Sequence, residues 1–349
     1  MKLSIIVPCY NVAPYLERGL RSLSNQTLRD DFEIICIDDA STDDTLAILN
    51  MWAQRDLRVR VLKNKKNKGV AASRNRGLDM ATGEYIGFMD PDDYVDSDFF
   101  ERLVNTADAQ KSQAACGQLC VIEVTGKKHK DPYRSVTELR KTLHNFKYHY
   151  TAIYRRDFIN AHNIRYPNLS INEDSVFETM VKCAMTTNLP LVCGTYYYYC
   201  RRMESLNADW WPESKIKESV TGVETIIDIY NNTPVTMRDY ICGAYGYFNY
   251  LRDVTLIKNT KTKIFVASNM CRIFKKMKYK QKLGTENTPL YLALLNDDPN
   301  GVIDVLKAQK WYTRTYKLFG RIKFLTVAFT RTRRDIRLFG ILIYRMNLT

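Results

Sequence analysis

No apolar run in this 349-residue chain reaches the length that spans a bilayer, so no transmembrane helix is expected. Residues 1–8 carry too short an apolar stretch for a signal peptide and read as a first strand, which points to a cytoplasmic protein. Cysteines at metal-ligand spacing are also missing. The nine cysteines are scattered, and the nearest pair, Cys116 and Cys120, has no histidine beside it. That usage gives no zinc site and fits free, buried thiols in a reducing compartment. There is no internal repeat and no low-complexity tract. A composition of 45% hydrophobic and 26% charged residues excludes a disordered chain.

Negative charge is in short supply. The net charge of +14 calls for nucleic acid, an anionic membrane surface or a phosphate-bearing substrate. Residues 310–349 hold ten Lys or Arg and one acid, Asp335, interleaved with bulky apolar residues. That mixture suits an interfacial amphipathic segment better than a nucleic-acid arm; a terminal helix pair with a basic outer face is the other reading. No nucleic-acid partner is expected.

Strand-like and helix-like periods alternate through the first third. Strands are expected at 3–7, 33–37, 59–62 and 85–89, with helices at 15–26, 45–54, 70–80 and 97–109. This alternation predicts a doubly wound, mostly parallel sheet of Rossmann-like kind, whose ligands bind beyond the carboxyl ends of the strands. Past residue 114 the pattern is mixed, and from 210 onward it turns helical. A catalytic domain over 1–207, with a nucleotide-binding half at 1–110 and an acceptor half at 111–207, and a basic, mostly helical region over 208–349 follow.

Three of the expected strand ends carry chemistry: Pro8-Cys9-Tyr10-Asn11, Asp38-Asp39, and Asp90-Pro91-Asp92-Asp93. Extended-chain alternation puts Asp90 and Asp92 on one side, with Pro91 unable to donate a ladder hydrogen bond. Two carboxylates about 4 Å apart repel by roughly 4 kcal/mol at an effective dielectric near 20. A hard divalent cation shared with substrate phosphates offsets that repulsion; a solvated polar turn is the plainer reading. Ser41 and Asp44 have capping-box spacing, which assigns them to the start of a helix. The basic loop at 63–69 runs into a helix bearing Arg74, a combination suited to a diphosphate.

The segments SIIVPCYN, IDDASTDDT, NKGVAASRNRGLDMATGEYIGFMDPDDYV, SINEDSVF and YYYYCRRMESLN closely resemble, in that order, the family 2 nucleotide-sugar glycosyltransferases of GT-A type, the kind that builds bacterial surface polysaccharides. The resemblance covers about residues 1–207. It implies that Pro8, Tyr10 and Asp39 cradle the base, closed over by Asn67, and that Arg74 reaches the diphosphate. Asp90 is implied at the ribose, Asp92 at Mg²⁺ or Mn²⁺, and Asp93 at the donor sugar or metal shell. Glu173 belongs to the acceptor-side motif with Asp174, the implied general base, and Arg201, Arg202 and Ser205 to a segment folding over the diphosphate. Pro91 departs from the small polar residue usual there.

The implied reaction is metal-dependent transfer of a sugar from a nucleotide donor, a uridine one, to a glycan or lipid-linked hydroxyl. One base suffices for single displacement with inversion, and no second, nucleophilic carboxylate is identifiable. Two alternatives stand against it. A nucleotidyltransferase would want a glycine-rich loop after the first strand, and residues 8–11 contain no glycine. A non-catalytic peripheral membrane or scaffold protein would not need the acids at 39, 90, 92 and 174.

Overall fold

The computed structural model describes residues 1–28, 31–123, 125–130, 149–201, 215–235, 259–278, 289–308 and the strand segments within 312–347, with positions 244, 248, 251 and 257. The chain divides into two compact units, Met1–Gly243 and Ala244–Thr349. The division falls later than the expected boundary near Asn207, because the helix at 216–232 packs within the first unit.

The first unit is built on a sheet with strand order β3-β2-β1-β4-β8-β6-β9-β5, with β7 paired to β6. Strands β1 (Leu3–Cys9) and β2 (Phe32–Asp38) are buried at every position, as their largely apolar runs require when helices cover both faces, and the buried Ser4 hydroxyl donates to Glu33 Oε1 at 2.7 Å. They pair in parallel from Leu3↔Phe32 to Cys9↔Asp38; β3 (Val59–Lys63) continues the sheet beyond β2 and β4 (Tyr85–Phe88) beyond β1, both parallel. Helices α1 (Ala13–Ser24), α2 (Thr45–Arg55) and α3 (Val70–Met80) connect these strands. The expected parallel sheet is therefore present, with the strand order reversing between β1 and β4. Ligands gather at such a reversal.

Beyond β4 the sheet is mixed. Strand β5 (Tyr94–Val95) precedes α4 (Phe99–Ala109); β6 (Ala114–Ile122) and β7 (Lys128–Lys130) form a hairpin. After a 3₁₀ turn at His149–Thr151 come β8 (Ala152–Arg155), α5 (Arg156–Ala161), α6 (Glu173–Ala184) and β9 (Leu191–Cys200). Strand β8 runs antiparallel to both β4 and β6, and β9 parallel to β6. Helix α7 (Ile216–Asn232) packs on α6.

In the second unit, α8 (Thr260–Lys276), α9 (Pro289–Leu295) and α10 (Pro299–Ala308) pack together around buried residues that include Met270, Phe274, Leu294 and Val302. Among the described residues, helical structure after residue 210 thus holds as far as Ala308. The expected helix at 236–257 lies outside the described residues. The basic terminal segment is not helical: β10 (Tyr312–Leu318), β11 (Ile322–Thr330), β12 (Arg333–Leu338) and β13 (Ile341–Asn347) form an antiparallel meander. Its aromatic and β-branched residues favour the pleated surface, which corrects the reading of a terminal helix pair. Among the described residues no helix is long and apolar enough to cross a membrane.

Candidate functional site

Two loops meet where β1 and β2 end. Asn11 and Ala40 hold left-handed backbone, with φ of 50° and 60°. The Asn11 amide donates to Ser41 Oγ at 3.1 Å, and Asn11 Oδ1 accepts from the Thr42 amide at 2.8 Å. The Val12 and Ala13 amides, at the start of α1, donate to Thr45 Oγ1 (2.9 Å) and Asp43 Oδ2 (3.1 Å). Ser41 therefore locks one loop to the other rather than closing a capping box with Asp44, and Asp43 caps α1 from the neighbouring loop. Such cross-loop bonds satisfy helix amides that α1 itself cannot pair.

Pro8 is buried in β1 opposite Ile37, while Tyr10 is 45% exposed at the rim. The Asp39 amide donates to Cys9 O at 2.8 Å. The buried Asp39 carboxylate accepts from Asn64 Nδ2 (2.6 Å), the Lys68 amide (2.9 Å) and the Gly69 amide (2.8 Å). Asp39 thus anchors the loop before α3, and the exposed Asn67 sits on that loop with its Oδ1 accepting from the Gly69 amide at 3.1 Å. The end of β1, Asp39 and the loop bearing Asn67 are thus joined through hydrogen bonds at Asp39.

The acid turn follows β4. The Asp90 amide donates to Tyr197 Oη at 3.0 Å, and the Tyr197 hydroxyl donates to Asp93 Oδ2 at 2.8 Å. The Cys200 amide donates to Asp93 Oδ1 at 2.7 Å. Asp93 is fully buried, and burial together with Asp92 and Asp90 pushes its carboxyl well above the usual range. It ties the turn to β9 through the Tyr197 hydroxyl and the Cys200 amide. Asp90 and Asp92 are only half-buried.

Arg74 joins this turn to α6. It is 4% exposed, and its two terminal nitrogens donate to Asp90 Oδ1 at 2.9 Å and Glu173 Oε1 at 3.0 Å. The guanidinium lies 5.2 Å from the Tyr166 ring centroid, and the Asn75 side chain brackets the Tyr166 backbone at 2.8 and 2.9 Å. In this arrangement the Arg74 guanidinium bridges two carboxylates, and Glu173 is buried beside it. Burial and the Asp174 charge raise the Glu173 carboxyl to about 7 against the opposing pull of Arg74. Asp174, next along, is half-buried; burial raises its carboxyl, with Arg74 again opposing. Both lie in the first turn of α6, entered through Asn172 at a left-handed φ of 62°.

Four buried polar atoms without a protein partner lie in this neighbourhood: Arg74 Nε, Tyr166 Oη and both ring nitrogens of His149. His149 sits among Phe88, Tyr150, Tyr166 and Phe177 at ring-centroid distances of 5.6, 5.2, 5.6 and 6.3 Å. Sequence reasoning missed Tyr166, His149 and Tyr197. The alternation of the tyrosine run on β9 was a usable signal for Tyr197 alone.

Among the described residues no group of three or more His, Cys, Asp or Glu forms a metal cage. Asp90 and Asp92 do suit the mode in which Mg²⁺ or Mn²⁺ takes one or two carboxylates and completes its shell with diphosphate and water oxygens. Arg201, at the end of β9, pairs with Glu123 at 3.2 Å; Arg202 and Ser205 lie outside the described residues.

The chain is similar to known proteins. The chain is 32% identical over 285 residues to the putative glycosyltransferase EpsH of Bacillus subtilis, covering 73% of this chain and 82% of that one. It is 30% identical over 214 residues to the poly(ribitol-phosphate) beta-N-acetylglucosaminyltransferase TarS of Staphylococcus aureus, spanning 58% of this chain and 36% of TarS. The crystal structure of S. aureus TarS residues 1–349 with UDP-GlcNAc covers all of this chain, with a TM-score of 0.72 at 19% identity, which establishes a shared GT-A fold. The family description "Glycosyl transferase family 2" matches residues 4–201, more than half of the chain, and the protein is a member of that glycosyltransferase family.

Proposed function

We propose that the protein is a metal-dependent, inverting glycosyltransferase that moves a hexose-type sugar from a UDP-sugar to a hydroxyl of a glycan or lipid-linked acceptor. One observation carries this reading: Arg74 bonds Asp90 of the acid turn and Glu173, beside Asp174, at 2.9 and 3.0 Å. On this reading one guanidinium links acids of the nucleotide side to acids of the acceptor side. The TarS likeness supports a uridine donor, and relatives named for surface-polymer synthesis support a bacterial surface glycan as the product.

In this mechanism Tyr10, Pro8, Asp39 and Asn67 form the base edge. Asp92 would hold the cation, which when bound would neutralise charge growing on the departing diphosphate, and Asp90 would reach the ribose. Arg201, Arg202 and Ser205 follow β9 and assist on the diphosphate side. Asp174 takes the proton from the acceptor hydroxyl; its raised carboxyl makes it a stronger base than an exposed aspartate. Arg74 and Glu173 keep that base in place.

Asp174→Asn should bind UDP as the wild type does and lose transfer by about 10²–10⁴-fold, the scale of general-base loss. Near-normal turnover refutes the role. Calorimetry of UDP with and without chelator should show metal-dependent binding that Asp92→Ala abolishes.

A further inference from the structure

We infer that Arg18 and Gly19 of α1 are positioning residues that fix the backbone of the acid turn and so set the affinity for the diphosphate end of the donor; this rests on reading that turn as the diphosphate site. A Cβ on Gly19 would lie 3.0 Å from Asp93 O, 3.1 Å from Pro91 O and 3.2 Å from Met89 Cε. Arg18 donates through a terminal nitrogen to Asp92 O at 2.6 Å. Three successive carbonyls, of Pro91, Asp92 and Asp93, therefore lie against two successive residues of one helix.

The contact continues along the same helical face. Ser22 Oγ accepts from the Val95 amide at 3.3 Å, and beyond the helix end Gln26 Nε2 donates to Asp96 O at 2.8 Å. Positions 18, 19, 22 and 26 follow the helical repeat, so one face tracks the chain from 91 to 96. Arg18 is itself held in place, its guanidinium 4.9 Å from the Tyr94 ring, which stacks on Tyr198 at 4.5 Å and 9°. On the β9 side, Tyr197 holds the Asp90 amide and the Asp93 carboxylate. The backbone of the turn is clamped between a helix and a strand.

The clamp explains two residue types. A side chain at position 19 would crowd two carbonyls at 3.0 and 3.1 Å and push the turn outward by a few tenths of an ångström, and the long Arg18 side chain reaches across to the carbonyl of Asp92. A displacement of the turn carries Asp90 and Asp92 with it, and cation-mediated binding depends on their spacing.

The test uses the full chain, with UDP titrated calorimetrically with and without Mn²⁺, alongside steady-state kinetics. Arg18 is exposed, so Arg18→Ala keeps the core intact. Losing a charged hydrogen bond weakens UDP binding in Mn²⁺ by about tenfold. Donor KM should rise by the same factor with kcat little changed. Arg18→Lys, which keeps the charge, should recover part of the loss, and Gly19→Ala should reproduce it. Arg18→Ala that binds UDP in Mn²⁺ within twofold of the wild type overturns the inference alone. Wild-type protein that binds no UDP overturns it together with the diphosphate reading.

Discussion

Arg74 holds two carboxylates with one fork, and that geometry makes a residue-level prediction. Lysine keeps the charge but cannot present two parallel donors. Arg74→Lys should therefore lower kcat by loosening Asp90 and Glu173, whereas Arg74→Gln, which removes the charge that opposes the burial of Asp174, should also move the acid limb of the pH profile upward. A pH series of single-turnover rates checks this, and an unmoved limb contradicts it. His149 makes a second prediction. Burial, then the Arg74 charge, hold its imidazole well below the ordinary range, so the folded protein keeps it neutral. Below an ordinary imidazole pKa of about 6.5 the unfolded chain binds the extra proton, and stability falls as pH falls, by up to about 1.4 kcal/mol per unit. Glu173, raised to about 7, acts with the opposite sign: its contribution is lost as pH rises through that value. The informative measurement is thus the wild type against His149→Phe in urea from pH 7 to 5, where only the wild type should carry the His149 slope. At this scale the acids were legible because residue type and strand-end position announce them. Tyr197 and His149 were not, since Tyr197 bonds residues more than a hundred positions away and His149 draws its meaning from rings on other elements.

Among the elements, α6 depends on its neighbour. A Cβ on Gly222 of α7 would lie 2.8 Å from Asn172 Cβ, and the Asn172 amide group donates to Ser219 O at 3.4 Å. Asn172 is the left-handed residue from which α6 starts, immediately before Glu173 and Asp174. Gly222→Ala should cost about 1–3 kcal/mol by overpacking, measured by denaturant titration, and should lower kcat more than donor affinity. Strands β1, β2 and β4 were readable because buried parallel strands leave short, largely apolar runs, and β3 because its valines and leucine are β-rich between two helical stretches. The terminal meander was not. Basic and apolar residues interleaved over 312–347 fit an amphipathic helix as well as strands until the pairing Tyr312↔Phe329 is known. The lesson also applies to Asp43, whose capping partner is the Ala13 amide of α1, on another element.

For the whole molecule the governing quantity is the net charge of +14. We propose that it draws the protein to anionic membrane surfaces at the cytoplasmic face, where a lipid-linked acceptor would be met. The protein should sediment with anionic vesicles at low salt and be released as the screening length falls below about 10 Å above 0.1 M salt. Equal sedimentation with neutral vesicles contradicts an electrostatic origin. The ion pairs of Arg74 carry a further consequence. One guanidinium bridges the acid turn and helix α6, so a ligand that draws Asp90 aside alters the company Glu173 keeps. Thermodynamic reciprocity then requires that whatever the first substrate does to the affinity for the second, the second does equally to the first.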